Sequence, residues 1–143
     1  MFWGEYSHSI DKKGRIIIPA RYRPHLCEGA FLTRGIDQNL VIYPQTAWEN
    51  LTEQLNQMPL THPTGQAWRR LLFSGAMELS LDRQGRLLIP AHLRNYASLD
   101  SEAFIVGMEN FIEIWEPARW HSTLDRVSTV LADADSRLTL SLS

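Results

Sequence analysis

The chain contains its own sequence twice. Adding 71 to the residue number carries Gly4 to Gly75, Asp11 to Asp82, Gly14 to Gly85, Arg15 to Arg86, Pro19 to Pro90 and Arg23 to Arg94, and over residues 4–23 the two copies agree at nine of twenty positions. With one inserted residue the likeness continues, "LTRGIDQNLVIYPQTAW" (32–48) answering "IVGMENFIEIWEPARW" (105–120), so that Gly35 meets Gly107 and Trp48 meets Trp120. Internal repetition constrains a fold more than any local pattern, because each copy must find a way to bury its apolar face against the other.

One copy reads as follows. "EYSHSI" alternates well enough for a strand, and "DKKG" makes a tight turn in which Asp bonds its own backbone and Gly tolerates positive φ. "RIIIP" resumes a β-branched strand whose Pro suits the start of a short helix, "ARYRPHL", cut by Pro24. "AFLTRG" and "LVIYP" form a second hairpin, as do "AFIVG" and "FIEIW" in the other copy. Each unit is ββαββ. One such unit leaves sheet edges bare and is too small for a core, whereas two units related by a local twofold axis can interleave their strands into a small barrel. The expected class is α+β: two ββαββ repeats forming an intramolecular barrel with added helices. The expected divisions are 1–54 for the first repeat, 55–74 for a linking helical segment, 75–125 for the second repeat and 126–143 for a C-terminal tail.

The added helices are predicted over 46–58, with Thr46 as N-cap, over "PTGQAWRRLLFSG" (63–75), and over 117–131, where Trp120, Leu124, Val127 and Leu131 share one face. The final "ADADSRLTLSLS" has no core signal and is expected to be loose. The single cysteine, Cys27, excludes an internal disulfide, fits a reducing compartment, and is expected to be a partly buried apolar side chain. No apolar run is long enough to cross a bilayer, and the start, "MFWGEYSHSID", does not look like a secretory signal. A cytoplasmic protein without a membrane partner is expected.

Net charge is −2, yet its distribution is uneven: residues 1–100 carry +2 and residues 101–143 carry −4. Lys12, Lys13, Arg15, Arg21 and Arg23 make the first repeat the most basic stretch, and a local patch of this kind can steer nucleic acid to one face. In the duplicated Asp-x-x-Gly-Arg turn, Arg15 and Arg86 project from the rim. If brought side by side they present paired planar donors suited to guanine's major-groove edge or to phosphate. Lys12, Lys13 and Arg83 can add phosphate contacts, which anchor without reading sequence. Asp11, Gly14, Asp82 and Gly85 orient the turns. Arg23 and Arg94 are expected to bond strand carbonyls or acidic partners, and Arg69 and Arg70 to lie on a solvated helix face. Asp11 and Asp82 could be imagined as a carboxylate dyad, but each is followed by basic residues, and no nucleophile motif or phosphate loop accompanies them. Catalysis, a cofactor and a metal centre are therefore not expected.

"MFWGEYSHSIDKKGRIIIPARYR", "LDRQGRLLIPAHLR" and "GMENFIEIWEPARW" together resemble the MraZ family, bacterial proteins of the division and cell-wall gene cluster related to the AbrB and SpoVT swapped-hairpin transcription factors. The resemblance covers about residues 1–125. It implies a monomer that mimics an AbrB-like dimer and binds double-stranded DNA as a nucleoid-associated transcriptional regulator, a repressor of its own cluster. It further implies a homo-oligomeric ring, typically an octamer, on short direct promoter repeats. In that family the DNA-contacting arginines of the turns match Arg15 and Arg86. Trp3 stands where many relatives carry a basic or smaller residue. A reading from a different class, a protein-interaction module of antitoxin-like type without direct DNA readout, draws on the acidic C-terminal region.

Overall fold

The computed structural model describes residues 1–133, so the expectation for "ADADSRLTLSLS" falls almost wholly outside them. In chain order the elements are β1 (Glu5–Ser9), β2 (Arg15–Ile17), a 3-10 turn (Arg23–His25), β3 (Ala30–Arg34), β4 (Leu40–Pro44), α1 (Gln45–Gln57), α2 (Pro63–Gly75), β5 (Met77–Glu78), β6 (Arg86–Leu88), α3 (Ala91–Tyr96), β7 (Glu102–Gly107), β8 (Ile112–Trp115), α4 (Pro117–Asp125) and α5 (Val127–Ala132). The fold is mixed α+β, with each repeat supplying four strands around a short helical turn, the last two strands pairing with each other as a hairpin. That turn is 3-10 in the first copy and α in the second. Pro24 has no N–H to offer the carbonyl of Ala20, whereas its counterpart Asn95 does, so only the second copy can propagate an α-helix there.

Six strands form an antiparallel sheet in the order β1-β7-β8-β4-β3-β5, and β2 and β6 pair as a separate two-stranded ribbon. The order exchanges strands between the repeats. β1, from the first copy, lies along β7 of the second, while β5, from the second copy, lies along β3 of the first. An approximate twofold axis relates the halves. In the sheet it passes between Val41 and Glu113, which are repeat equivalents paired with each other; in the ribbon it passes between the equivalents Ile16 and Leu87. Both registers are what a duplicated sequence produces when each copy completes its twin.

The main core lies between ribbon and sheet. Ile16, Ile18, Leu87 and Ile89 come from the ribbon strands and their ends, and they meet Leu32, Leu40, Ile42, Ile105, Ile112 and Ile114 from the inner face of the sheet. Strand alternation sends Phe31, Val41, Tyr43, Val106 and Trp115 to the other face. There Trp48 of α1 stacks on Phe31 at 4.7 Å, and Trp120 of α4 packs with Trp115 and Val106.

Three expectations are corrected. α1 starts a residue earlier than predicted, with Pro44 rather than Thr46 at its N-cap and no side-chain capping bond; the fixed φ of Pro44, ending β4, turns the chain directly into the helix. The helix over 117–131 breaks at Arg126, and Leu124, Val127 and Leu131 are exposed while Trp120 is buried. Its apolar stripe therefore faces solvent past the first two turns. Cys27 is exposed, its thiol directed at the Pro24 carbonyl 3.0 Å away.

Candidate nucleic-acid interface

Each Asp-x-x-Gly-Arg segment closes on itself through one carboxylate. The Oδ1 atom of Asp11 accepts from the backbone N–H of Lys13 (3.0 Å) and of Arg15 (2.9 Å), and Oδ2 accepts from the Arg15 side-chain Nε at 2.7 Å. The second copy repeats the pattern, with Asp82 accepting from the N–H of Gln84 and Arg86 and from Arg86 Nε at 2.7 Å. Gly14 and Gly85 hold φ of +87° and +77°, which a side chain would strain. The aspartate thus shapes the turn and fixes the arginine at its Nε edge. Among the described residues the terminal guanidinium nitrogens of Arg15 and Arg86 have no protein hydrogen-bond partner, and these are the atoms that bidentate recognition uses.

The ribbon sets the two arginines relative to each other. Arg15 pairs across it with Leu88, and Ile17 with Arg86. Directly paired residues share a face, and that face is opposite the one holding buried Ile16 and Leu87. Arg15, Ile17, Arg86 and Leu88 are therefore coplanar neighbours on the outer surface, the two arginines diagonal to each other at about 7–8 Å between backbones. Both line one shallow recess with Met77, Leu81 and Leu88. Lys12, Lys13 and Arg83 are exposed within the two turns. The structure thus brings Arg15 and Arg86 together on one face, while Lys12 lines a separate recess with Arg94 and Asp100.

Behind the turns the repeats brace each other. A Cβ on Gly14 would lie 1.4 Å from Arg94 Nη1, and one on Gly85 would lie 2.2 Å from Arg23 Cζ, so each repeat's helical arginine rests on the other repeat's turn glycine. Arg23 Nε also donates to the carbonyl of Ile18 at 2.8 Å, the strand-carbonyl bond expected for it. The backbone joins in: Ile18 N–H donates to the Gly85 carbonyl and Ile89 N–H to the Gly14 carbonyl, both at 2.9 Å. Neither turn can shift without disturbing its twin. Arg69, expected on a solvated face, instead donates to the Leu55 carbonyl at 2.9 Å and ties α2 to α1. Trp3 lies at the far end of β1 from the Asp11 turn, beside Glu109, which accepts from its indole N–H.

Asp11 and Asp82 are held below the ordinary value of 3.8, first by the backbone N–H of Arg15 or Arg86 and then by the guanidinium hydrogen bond. A depressed carboxylate contributes stability above its ordinary pKa, and that contribution is lost as pH falls through the depressed value. In a two-dimensional amide NMR titration the Arg15 and Arg86 backbone and Nε signals should report a transition whose midpoint lies below 3.8. A midpoint at or above that value would contradict the hydrogen-bonded turn. Among the described residues no cluster of three or more His, Cys, Asp or Glu is arranged to hold a metal ion, and no helix is long and apolar enough to cross a membrane.

The residues that sequence reading passed over are Ile17 and Leu88. Strict alternation across "RIIIP" was the available signal, since Ile16 and Ile18 point inward and the middle residue must point out. The cross-repeat seating of Arg23 and Arg94 had no local signal.

Comparison with known proteins agrees with the repeat. A family described as "MraZ protein, putative antitoxin-like" matches twice, over residues 1–71 and 72–142. A protein of Herpetosiphon aurantiacus named transcriptional regulator MraZ is 50% identical over 125 residues, covering 87% of each chain. Like-named proteins of Roseiflexus castenholzii and Desulfitobacterium hafniense are 48% identical over 124 residues and 46% over 138, covering 87% and 96% of each chain.

Proposed function

The chain belongs to the MraZ family, and from that premise we propose that it is a sequence-specific DNA-binding transcriptional regulator that reads short direct repeats in its own promoter. The observation that carries this reading is the pair of guanidiniums, one from each repeat, fixed at Nε and open at their terminal nitrogens on a single exposed ribbon face. A two-stranded ribbon fits the major groove, and arginine matches the O6 and N7 acceptors of guanine. Lys12, Lys13 and Arg83 supply phosphate contacts that set register. Asp11, Gly14, Asp82 and Gly85 preorganise the turns. In this reading the strand exchange is the AbrB-like swapped-hairpin arrangement, closed into a barrel within one chain, and the protein is cytoplasmic and nucleoid-associated.

A single protomer offers few cations, so useful affinity requires linked copies acting at high effective concentration on matched repeats. The exposed Leu124, Val127, Val130 and Leu131 on α4 and α5 support self-association, and a ring, typically of eight, is the assembly proposed. Mobility shift against the native upstream duplex and a scrambled duplex tests the reading. Specific binding should weaken steeply with salt as counterion release is lost, and light scattering should give a multiple of the 16.5 kDa chain mass. Equal affinity for both duplexes would overturn sequence-specific reading, and no DNA affinity at low salt with one stoichiometric protein partner recovered instead would favour the interaction-module reading.

A further inference from the structure

We propose that Ile17 and Leu88 read thymine methyl groups beside the bases contacted by Arg15 and Arg86, with Leu88 the stronger reader; this rests on the DNA-binding reading above. Both side chains stand on the outer face of the ribbon, at 36% and 52% exposure, and neither belongs to the buried core. Each is the direct cross-strand partner of an arginine, Leu88 of Arg15 and Ile17 of Arg86. Cross-strand neighbours have Cβ atoms about 5 Å apart, and successive bases on a strand rise about 3.4 Å. An apolar side chain so placed therefore reaches the same base pair as its arginine or the next one. In the major groove the only apolar group on a base edge is the C5-methyl of thymine, and aliphatic side chains recognise it by contact.

The two ends of the ribbon differ at the surface, although the backbone is nearly twofold. Leu88 borders the recess shared with Met77 and Leu81. The first-repeat equivalent of Met77 is Tyr6, whose hydroxyl accepts from Arg21 at 3.2 Å, so a polar aromatic takes the place of the thioether there. The neighbouring turns differ too, Lys12 and Lys13 at one end and Arg83 and Gln84 at the other. A methyl pocket on one side gives the ribbon a direction. This is how a protomer built on a pseudo-twofold axis can read a repeat that is not a palindrome.

The test compares two duplexes of the native upstream sequence, one with thymine and one with deoxyuridine throughout, by fluorescence anisotropy with the full chain. Uracil keeps the hydrogen-bonding edge and removes only the methyl. The uracil duplex should bind about four-fold more weakly per contacted methyl. Leu88→Ala should lose most of that discrimination and Ile17→Ala a smaller part. The Leu88→Ala melt should be unchanged because that side chain is half exposed, and the Ile17→Ala variant is compared only where its melt shows it folded. Equal wild-type affinity for the two duplexes would overturn the methyl contact while leaving DNA binding in place. Discrimination fully retained in both variants would also overturn it, and binding to neither duplex would overturn the parent reading together with this one.

Discussion

The Arg15→Ala/Arg86→Ala double variant is expected to lose specific DNA binding, with affinity for the native upstream duplex falling at least about 100-fold, while its melting temperature stays close to that of the wild type. The two effects separate because of where the guanidiniums sit. Each makes its protein contact through Nε to an exposed aspartate on its own turn, and exposed ion pairs contribute little to folding. The terminal nitrogens face outward and carry the recognition. Loss of two bidentate contacts per protomer is multiplied across every copy engaged on the repeats, so a ring should show a larger loss than one protomer. Lys12→Ala and Lys13→Ala should behave differently, lowering affinity for specific and unrelated DNA alike and reducing the salt slope. Unchanged specific binding by a folded double arginine variant would remove the ribbon from the mechanism.

The second large effect lies one residue away and acts through the core. Leu87 is 1% exposed and faces Ile16 on the axis, beneath the outer face. Leu87→Ala should cost about 2–5 kcal/mol and lower the melting temperature by roughly 10 °C, measured by differential scanning calorimetry. DNA affinity should fall with it, because Leu87 supports both strands that carry the arginines. Its neighbour provides the contrast: Leu88→Ala should leave the melt within experimental scatter, since exposed substitutions usually stay within about 0.5 kcal/mol. The reverse order, with Leu88→Ala melting lower, would mean that the ribbon register is wrong by one residue.

Much of this was legible in the residues. The repeat announced the halves, and the turn chemistry of Asp11 and Asp82 announced the geometry that their carboxylates adopt, because an Asx turn is a local interaction. Strand positions followed from β-branched runs bounded by Gly and Pro. What failed depended on surroundings. Thr46 had the chemistry of an N-cap, but the preceding proline determined where the helix began. The stripe of Leu124, Val127 and Leu131 has helical spacing, yet among the described residues it is exposed; periodicity shows that a face is apolar and not what it meets. The stacking of Arg94 on Gly14, and of Arg23 on Gly85, joins residues some 60 to 80 positions apart and could not be found by any window moved along the chain.

The exchanged edge strands also set a schedule for synthesis. Glu5–Ser9 leaves the ribosome well before its partner, Glu102–Gly107. At ordinary elongation rates that strand waits about 5–20 s for its mate to be translated. During that interval the nascent chain carries an unmatched ribbon of backbone donors and acceptors until Glu102–Gly107 emerges. Slowing elongation after the first repeat should therefore lower the yield of soluble protein, a vulnerability that arises from the order in which the strands are made rather than from the stability of the finished molecule.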